Sequence, residues 1–368
     1  MMFKIEHTCN NARSGILKTK HGKIKTPFFM PVVTKGAAKY LSFPVLKELG
    51  SQCFISNAYL LFLKPGLDVI KESKGYHNFI NWNKSIFTDS GGFQLLNKEF
   101  LISISDKGVK FRSPFNGDTH FIGPEELIKI QNTIGSDIAM VLDHLLGPNN
   151  SYEDHKVATN RTIDWAKRAI NNHKNKDQLI FGIVQGGTFK DLRNYCAQEI
   201  NKLPFDGLAI GGLAIGESKE RMYEAIDYSL EYMDKKRPRY LMGVGSPEDI
   251  VKSIGKGVDC FDSIYPTKMA RHGVIFTNRG QLKIWKEEYK HNYNPIEKDC
   301  DCEVCKNHTL AYLYHLYRAK EPNAKLLLSI HNIRFMHRLV ERARQNIIAG
   351  TYDEFQKKFL ESYLNNKG

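Results

Sequence analysis

Long apolar runs are missing from this 368-residue chain. None approaches the ~18 residues that a bilayer crossing requires. The opening stretch, MMFKIEHTCNNARSG, lacks the apolar core of a secretory leader. The expectation is a soluble, cytoplasmic protein without a membrane partner. Low-complexity segments, internal repeats and an evident interdomain linker are also absent. Acid is in deficit: 40 Asp plus Glu face 53 Lys plus Arg, a net charge of +13, with an isoelectric point near 9.2. That balance favours an anionic partner, a nucleic acid or a membrane surface, over the plainer reading of a generally lysine-rich composition. Cysteine is sparse. Cys9, Cys53, Cys196 and Cys260 are scattered in mostly apolar settings and read as packed thiols, whereas Cys300, Cys302 and Cys305 are clustered.

What the chain does have is a succession of short apolar runs separated by helix-length spacers. They fall at 26–33, 52–57, 85–90, 137–143, 178–185, 205–212, 239–245 and 257–263. Each is nearly continuous rather than alternating, as expected of parallel strands covered on their outer face. Amphipathic stretches at 124–135, 162–173 and 218–233 lie between them. Eight such repeats predict an α/β fold, a (β/α)₈ barrel. The runner-up, a doubly wound open sheet, is disfavoured because no Gly-x-Gly-x-x-Gly turn follows the first run. Residues 1–25 read as an N-terminal hairpin, 26–286 as the barrel, and 287–368 as a cysteine-bearing insert with C-terminal helices. A second hairpin is expected at 273–287, turning at Asn278-Arg279-Gly280, and the tail is expected to be helical from about 331.

The chemistry lies in what ends each run. The second ends in Asn57, the third in Asp89-Ser90-Gly91-Gly92-Phe93-Gln94, the fourth in Asp143 and the fifth in Gln185-Gly186-Gly187. Gly211-Gly212, Gly243-Val244-Gly245 and Asp262 end the last three. In a barrel all these ends meet on one face, where active sites form. A lone Asp there is as readily a helix cap, but three Asp and a Gln closing different buried strands imply a pocket. Asp143 can accept two N–H bonds from the edge of a guanine, with Gln185 and the Gly212 amide addressing its carbonyl side. Asp262 precedes a basic loop, Lys268, Arg271 and His272, and cations there would keep it ionised and nucleophilic. Two Asp residues, one nucleophile and one acid/base, are the layout of retaining glycosyl transfer.

Cys300-Asp301-Cys302-Glu303-Val304-Cys305 implies tetrahedral zinc more than disulfides. By spacing, the fourth ligand is either His308 or His331, the latter expected just where the last helix begins. A closed three-Cys, one-His set is structural rather than catalytic.

Taken together, FTDSGGFQ, GIVQGG, FDGLAIGGLAIGE, PRYLMGVGSPED, DCFDSIYPTKMARHG and the Cys cluster, in this order over nearly the whole length, resemble the tRNA-guanine transglycosylases of bacterial type. The resemblance implies a (β/α)₈ barrel with a zinc-binding insert, and exchange of guanine for a 7-deazaguanine at the wobble position of tRNAs with GUN anticodons, toward queuosine. It makes Asp262 the nucleophile and Asp89 the general acid/base. Ser90, Gly91, Gly92, Asp143, Gln185, Gly212 and Leu213 become the base-binding set, with Phe93 and Met242 sandwiching the ring. RNA contacts fall on Gly243, Val244, Gly245, Ser246, Pro247, Glu248 and Asp249, and on Thr267, Lys268, Met269, Ala270 and Arg271. The ligands become Cys300, Cys302, Cys305 and His331, holding one structural Zn²⁺ per subunit, and the expected assembly is a homodimer gripping the anticodon loop.

The chain departs from the family pattern at Asn57-Ala-Tyr-Leu60, Asp143-His-Leu145 and Pro266-Thr-Lys-Met-Ala-Arg271. These changes leave the incoming base open: Ile215 resembles members that take 7-aminomethyl-7-deazaguanine, while Leu145 allows a pocket reshaped for queuine. A non-catalytic RNA-binding subunit and a metal-dependent hydrolase are the competing readings. Retention of both Asp89 and Asp262 argues against the first, and the position of the Cys cluster outside the strand ends against the second.

Overall fold

A computed structural model describes residues 2–91 and 99–365 of the chain. It begins with a three-stranded antiparallel sheet, β1 (Phe3–Cys9), β2 (Ala12–Thr19) and β3 (Gly22–Thr26). The expected N-terminal hairpin thus has a third strand, because Lys20-His21-Gly22 turns the chain back once more along β2.

The barrel follows. Its first three strands are β4 (Phe28–Pro31), β5 (Cys53–Asn57) and β6 (Ser85–Asp89). A small antiparallel sheet is inserted after β6: β7 (Leu101–Ser105), β8 (Gly108–Arg112) and β9 (Thr119–Ile122). The barrel resumes with β10 (Ile138–Met140), β11 (Leu179–Val184), β12 (Gly207–Ile210), β13 (Arg239–Leu241) and β14 (Cys260–Ser263). The eight strands pair in parallel in the order β4-β14-β13-β12-β11-β10-β6-β5. Val33 N–H donates to Ile55 O at 2.7 Å, just past β4, and joins the two ends of that order. All eight apolar runs are barrel strands, and the 273–287 hairpin is β15 (Val274–Thr277) and β16 (Gly280–Lys283), turning through Asn278 and Arg279.

Local signals set the helix starts. Ser151 and Asp154 form a reciprocal capping box for Tyr152–Asn172, and Ser218 and Ser246 cap Lys219–Tyr232 and Pro247–Gly255. Two segments differ from expectation. The basic segment after β14 is a two-turn helix, Tyr265–Arg271, rather than a loop. The last long helix spans Pro322–Ile348, so His331 sits in its third turn and not at its start. Pro322 at its first position, where no intrahelical N–H is needed, is the start signal.

Side chains from alternate strands fill the barrel in layers. Phe28 (β4), Phe87 (β6), Phe181 (β11) and Tyr240 (β13) form one such layer, Phe87 lying 5.9–6.1 Å from each of the other three rings. Gly207 makes room for it, since a Cβ there would come within 2.3 Å of the Phe181 ring. At the opposite end from the site, Arg13 of β2 donates to both carboxylate oxygens of Asp259, at 2.9 and 2.5 Å, with both side chains buried. The same Arg reaches the carbonyls of Lys235 and Arg237, and Arg239 N–H also donates to Asp259. This network ties the N-terminal sheet to the entries of β13 and β14.

Candidate active site and metal centre

The carboxylates expected at the strand ends do converge. Asp89 ends β6, and its pKa is pushed from 3.8 up to about 7. Burial is the main cause, then the charges of Asp143 and Asp262, opposed by the N–H groups of Gly91 and Ser90. Three carboxyls from β6, the loop after β10, and β14 therefore share one electrostatic environment, although they are far apart in sequence. Gly91, with φ of +89°, must be glycine: a Cβ would lie 2.8 Å from Cβ of Tyr59.

Asp143 lies three residues beyond β10, buried, and burial raises its pKa. Ser90 Oγ donates to its Oδ1 at 3.2 Å and Gln185 Nε2 to its Oδ2 at 2.6 Å. Gln185 is held in turn, its N–H donating to Cys196 Sγ at 3.3 Å. The adjoining backbone is braced by Arg193, which is fully buried and donates to Val184 O and Gly187 O. Gly211 and Gly212 pass so close that a Cβ on either would strike the Gln185 amide. Leu145 Cδ1 stands 3.3 Å from the place of a Cβ on Gly212, and Leu213 is buried beside it. Met242 is half-buried on the strand end after β13. Gly92 and Phe93 lie outside the described residues.

Asp262 differs from expectation in what steadies it. Burial raises its pKa, and the groups that lower it are the Gly243 N–H and the Tyr240 hydroxyl, not cations. Both donate to Oδ1, at 2.8 and 2.5 Å. Lys268 is exposed, and Arg271 donates to Thr267 Oγ1 at 3.3 Å; neither is among the groups that set the Asp262 pKa. Tyr240 was not among the sequence candidates; its only signal was a hydroxyl inside a short buried strand.

The two segments expected at RNA follow the neighbouring strands β13 and β14. Gly243 is exposed; Val244, Gly245, Pro247 and Thr267 are buried, as is Ala270, while Ser246 and Met269 are half-buried. Gly245 packs against Ser263, where a Cβ would be 2.2 Å from the Ser263 Cβ. Glu248 and Asp249 are turned inward: Lys219 Nζ donates to Glu248 at 2.7 Å and to Asp249 at 2.9 Å, and Tyr223 and Ser246 also bond Asp249.

Cys300, Cys302, Cys305 and His331 are buried together, with their candidate ligand atoms all within 4.8 Å of one another. The three Sγ atoms stand 3.9, 3.7 and 3.3 Å from His331 Nδ1. Tetrahedral zinc, with bonds of about 2.0–2.3 Å, needs ligand separations of roughly 3.5–3.8 Å, so the set fits. His331 Nε2 is taken by the Phe276 carbonyl at 2.8 Å, which leaves Nδ1 as the ligand atom. The choice between the two histidines is thereby decided: His308 stacks on Tyr312 instead. A second group, His21, His77 and Asp137, lies at the other end of the barrel. There the Asp137 oxygens already accept from the N–H groups of His21 and Ile86 as well as from both imidazoles, which reads as a structural knot.

Two buried carboxyls at the strand ends, one with its pKa raised to about 7 and the other braced by a hydroxyl and an amide, fit an enzyme of the glycosyl-transfer class. The particular family is shown by comparison. The family model described as queuine tRNA-ribosyltransferase matches residues 8–365. A queuine tRNA-ribosyltransferase of Caldanaerobacter subterraneus subsp. tengcongensis is 46% identical over 357 residues, 97% of this chain and 95% of the relative. Those of Dictyoglomus turgidum (45%; 96% and 92% covered) and Thermotoga maritima (43%; 99% and 98% covered) are similar throughout. The chain belongs to the queuine tRNA-ribosyltransferase family, a family of pentosyltransferases.

Proposed function

We propose that this protein is a tRNA-guanine transglycosylase that replaces the wobble guanine of GUN-anticodon tRNAs with a 7-deazaguanine, in queuosine synthesis. The observation that carries the reading is the pair Asp89 and Asp262. One is a carboxyl poised at about 7, and the other is steadied as an anion by Tyr240 and Gly243.

In this mechanism the flipped guanine enters between the strand ends, with its N–H edge on Asp143 and its carbonyl side on Gln185 and the Gly212 amide. Ser90, Gly91, Gly92 and Leu213 complete the slot, with Phe93 and Met242 against the ring faces. An Asp262 oxygen attacks the ribose anomeric carbon. The bond to the base breaks, its electron pair leaves with guanine, and Asp89 delivers the proton that neutralises the departing base. The incoming base loses its ring N–H proton to Asp89, and its nitrogen displaces Asp262 from the same carbon. Configuration is thus retained over two inversions, and Asp89 ends the cycle protonated again.

Residues 243–249 and 267–271 hold the RNA in this reading, and Lys268 and Arg271 are the cations available to phosphate. Cys300, Cys302, Cys305 and His331 would hold one Zn²⁺ per subunit, which would fasten the segment before the long helix to that helix and supply no reaction step. The working units are the N-terminal sheet (1–25), the catalytic barrel (26–286) and the zinc-bearing segment with its helices (287–368). They operate in a cytoplasmic homodimer, one subunit reacting while the other helps to hold tRNA. The bulk of Ile215 favours 7-aminomethyl-7-deazaguanine as the entering base over queuine, and direct competition between the two for incorporation decides it.

The deciding experiment for the activity is incubation of undermodified tRNA with labelled guanine. Label should enter the RNA at the wobble position, and its absence with the wild-type protein would end the transglycosylase reading.

A further inference from the structure

The insert β7–β9 is not explained by the strand-end chemistry. It leaves β6 immediately beyond Asp89 and the segment 92–98, and its inner face is used up in packing: Phe111 lies 4.5 Å edge-on to Tyr59, and His120 5.5 Å from Phe62. Its other surfaces are unusual for a small sheet facing water. Phe115, in the turn between β8 and β9, is 39% exposed. Two lysines reach over its ring, Lys35 Nζ at 5.0 Å and Lys64 Nζ at 5.7 Å from the centroid. Lys35 comes from the loop after β4 and Lys64 from the turn after β5, so three successive strand ends of the active face build this one feature. On the outer face of the insert Phe121 is 54% exposed, with Lys110 as its direct cross-strand partner and Arg112 at the diagonal position.

We propose that Phe115, Lys35 and Lys64 form a clamp for an unpaired nucleotide of the RNA substrate, continued across the insert by Phe121, Lys110 and Arg112. An aromatic face flanked by cations is the means by which proteins hold single-stranded nucleic acid: the ring stacks a base of any identity and the ammonium groups meet phosphates. The placement fits one task. Going round the barrel, Lys268 and Arg271 follow β14, Lys35 follows β4, Lys64 follows β5 and Phe115 follows β6. A basic arc thus runs from the strand that carries Asp262 to the strand that carries Asp89. A loop nucleotide can be flipped into the pocket between these residues only if a neighbour is held outside it, and the clamp is at the far end of the arc from Lys268.

The inference rests on the transglycosylase reading for its substrate but is measured separately from it. Affinity of the full-length protein for an anticodon stem-loop RNA is read by fluorescence anisotropy, which needs no turnover, and guanine exchange is assayed in parallel. Phe115→Ala should weaken RNA binding roughly tenfold, within the range of one lost base stack, and Phe115→Tyr should restore it. Lys35→Gln with Lys64→Gln should flatten the dependence of log affinity on log salt by about one. The KM for free guanine should not move in any of these variants. Unchanged RNA affinity in Phe115→Ala, or a loss that Phe115→Tyr does not restore, overturns the clamp. A change in oligomeric state with RNA affinity intact would also overturn it, assigning the patch to a protein contact. Failure of exchange by the wild type with RNA binding intact would count against the activity and leave the clamp standing.

Discussion

At the scale of single residues, the site depends on what burial does to carboxyl groups. Asp89 is held near 7 mainly by desolvation and secondarily by two other carboxylates. Because its folded pKa lies above the ordinary 3.8, the folded protein keeps a proton over that window that the unfolded chain has lost. Stability contributed by Asp89 is therefore full below about pH 4 and is lost as pH rises through about 7. Asp89→Asn should melt higher than the wild type at pH 8, by the equivalent of roughly 2–4 kcal/mol, and the advantage should vanish near pH 4. A constant difference across pH in thermal melts would contradict the raised pKa. Asp262→Asn should form no covalent enzyme–RNA species, while RNA affinity stays within about tenfold, since only one charge changes; a gel-stable adduct in the mutant would refute the nucleophile assignment. In the proposed reaction Tyr240 acts through Asp262, as a positioning residue. Tyr240→Phe removes a hydrogen bond to a charged group, worth about 1.5–3 kcal/mol. It should lower kcat roughly 10–100-fold with the KM for RNA unchanged, and an equal rise in KM would mean that the hydroxyl serves binding instead.

At the scale of elements, the same Tyr links the barrel filling to the chemistry. Its ring belongs to the Phe28, Phe87 and Phe181 layer, so Asp262 is braced from below by a packed interior rather than by a loop. The opposite end of the barrel has its own fastening in Arg13 and Asp259. Removing one member of a buried, bidentate pair leaves an uncompensated charge and costs about 3–5 kcal/mol. Arg13→Ala should accordingly lower the melting temperature by roughly 10 °C, with the pH profile of exchange unaltered because the strand ends are remote from it. Helix Tyr265–Arg271 shows where local reading falls short. Lys268, Arg271 and His272 look like a loop beside Asp262, but the chain there makes two helical turns, with Pro266 at the start, and Asp262 is braced by Gly243 and Tyr240 instead. The insert β7–β9 was not anticipated at all, since its strands are short and only half covered, which blurs the alternation that marks a strand.

At the scale of the whole molecule, the Cys cluster and the long helix Pro322–Ile348 connect the chain's end to its beginning. The helix packs against β4 and the N-terminal sheet as well as against Tyr265–Arg271, and His331 in its third turn faces the three thiols. Metal removal is expected to act on folding more than on chemistry. Prolonged chelation should lower the melting temperature by about 10 °C or more, as loss of several kcal/mol of site energy would, and stoichiometric zinc should restore it. A chelated protein that melts unchanged, with no zinc found by elemental analysis, would remove the metal from the account. Among the described residues no helix is long and apolar enough to cross a membrane, in keeping with the absence of long apolar runs.

The sequence by itself determined the eight strands, their parallel barrel, the chemical identity of their terminal residues and the thiol cluster. These follow from local composition: continuous apolar runs mark covered strands, and a polar residue closing each run marks its exposed end. Tertiary structure alone decided which groups act on each other. Coulombic coupling and desolvation depend on distances between residues more than a hundred positions apart, as between Asp89 and Asp262, and no local pattern carries that information. For the same reason Tyr240 rather than a lysine steadies Asp262, His331 rather than His308 completes the thiol cluster, and Lys35, Lys64 and Phe115 meet over one exposed ring.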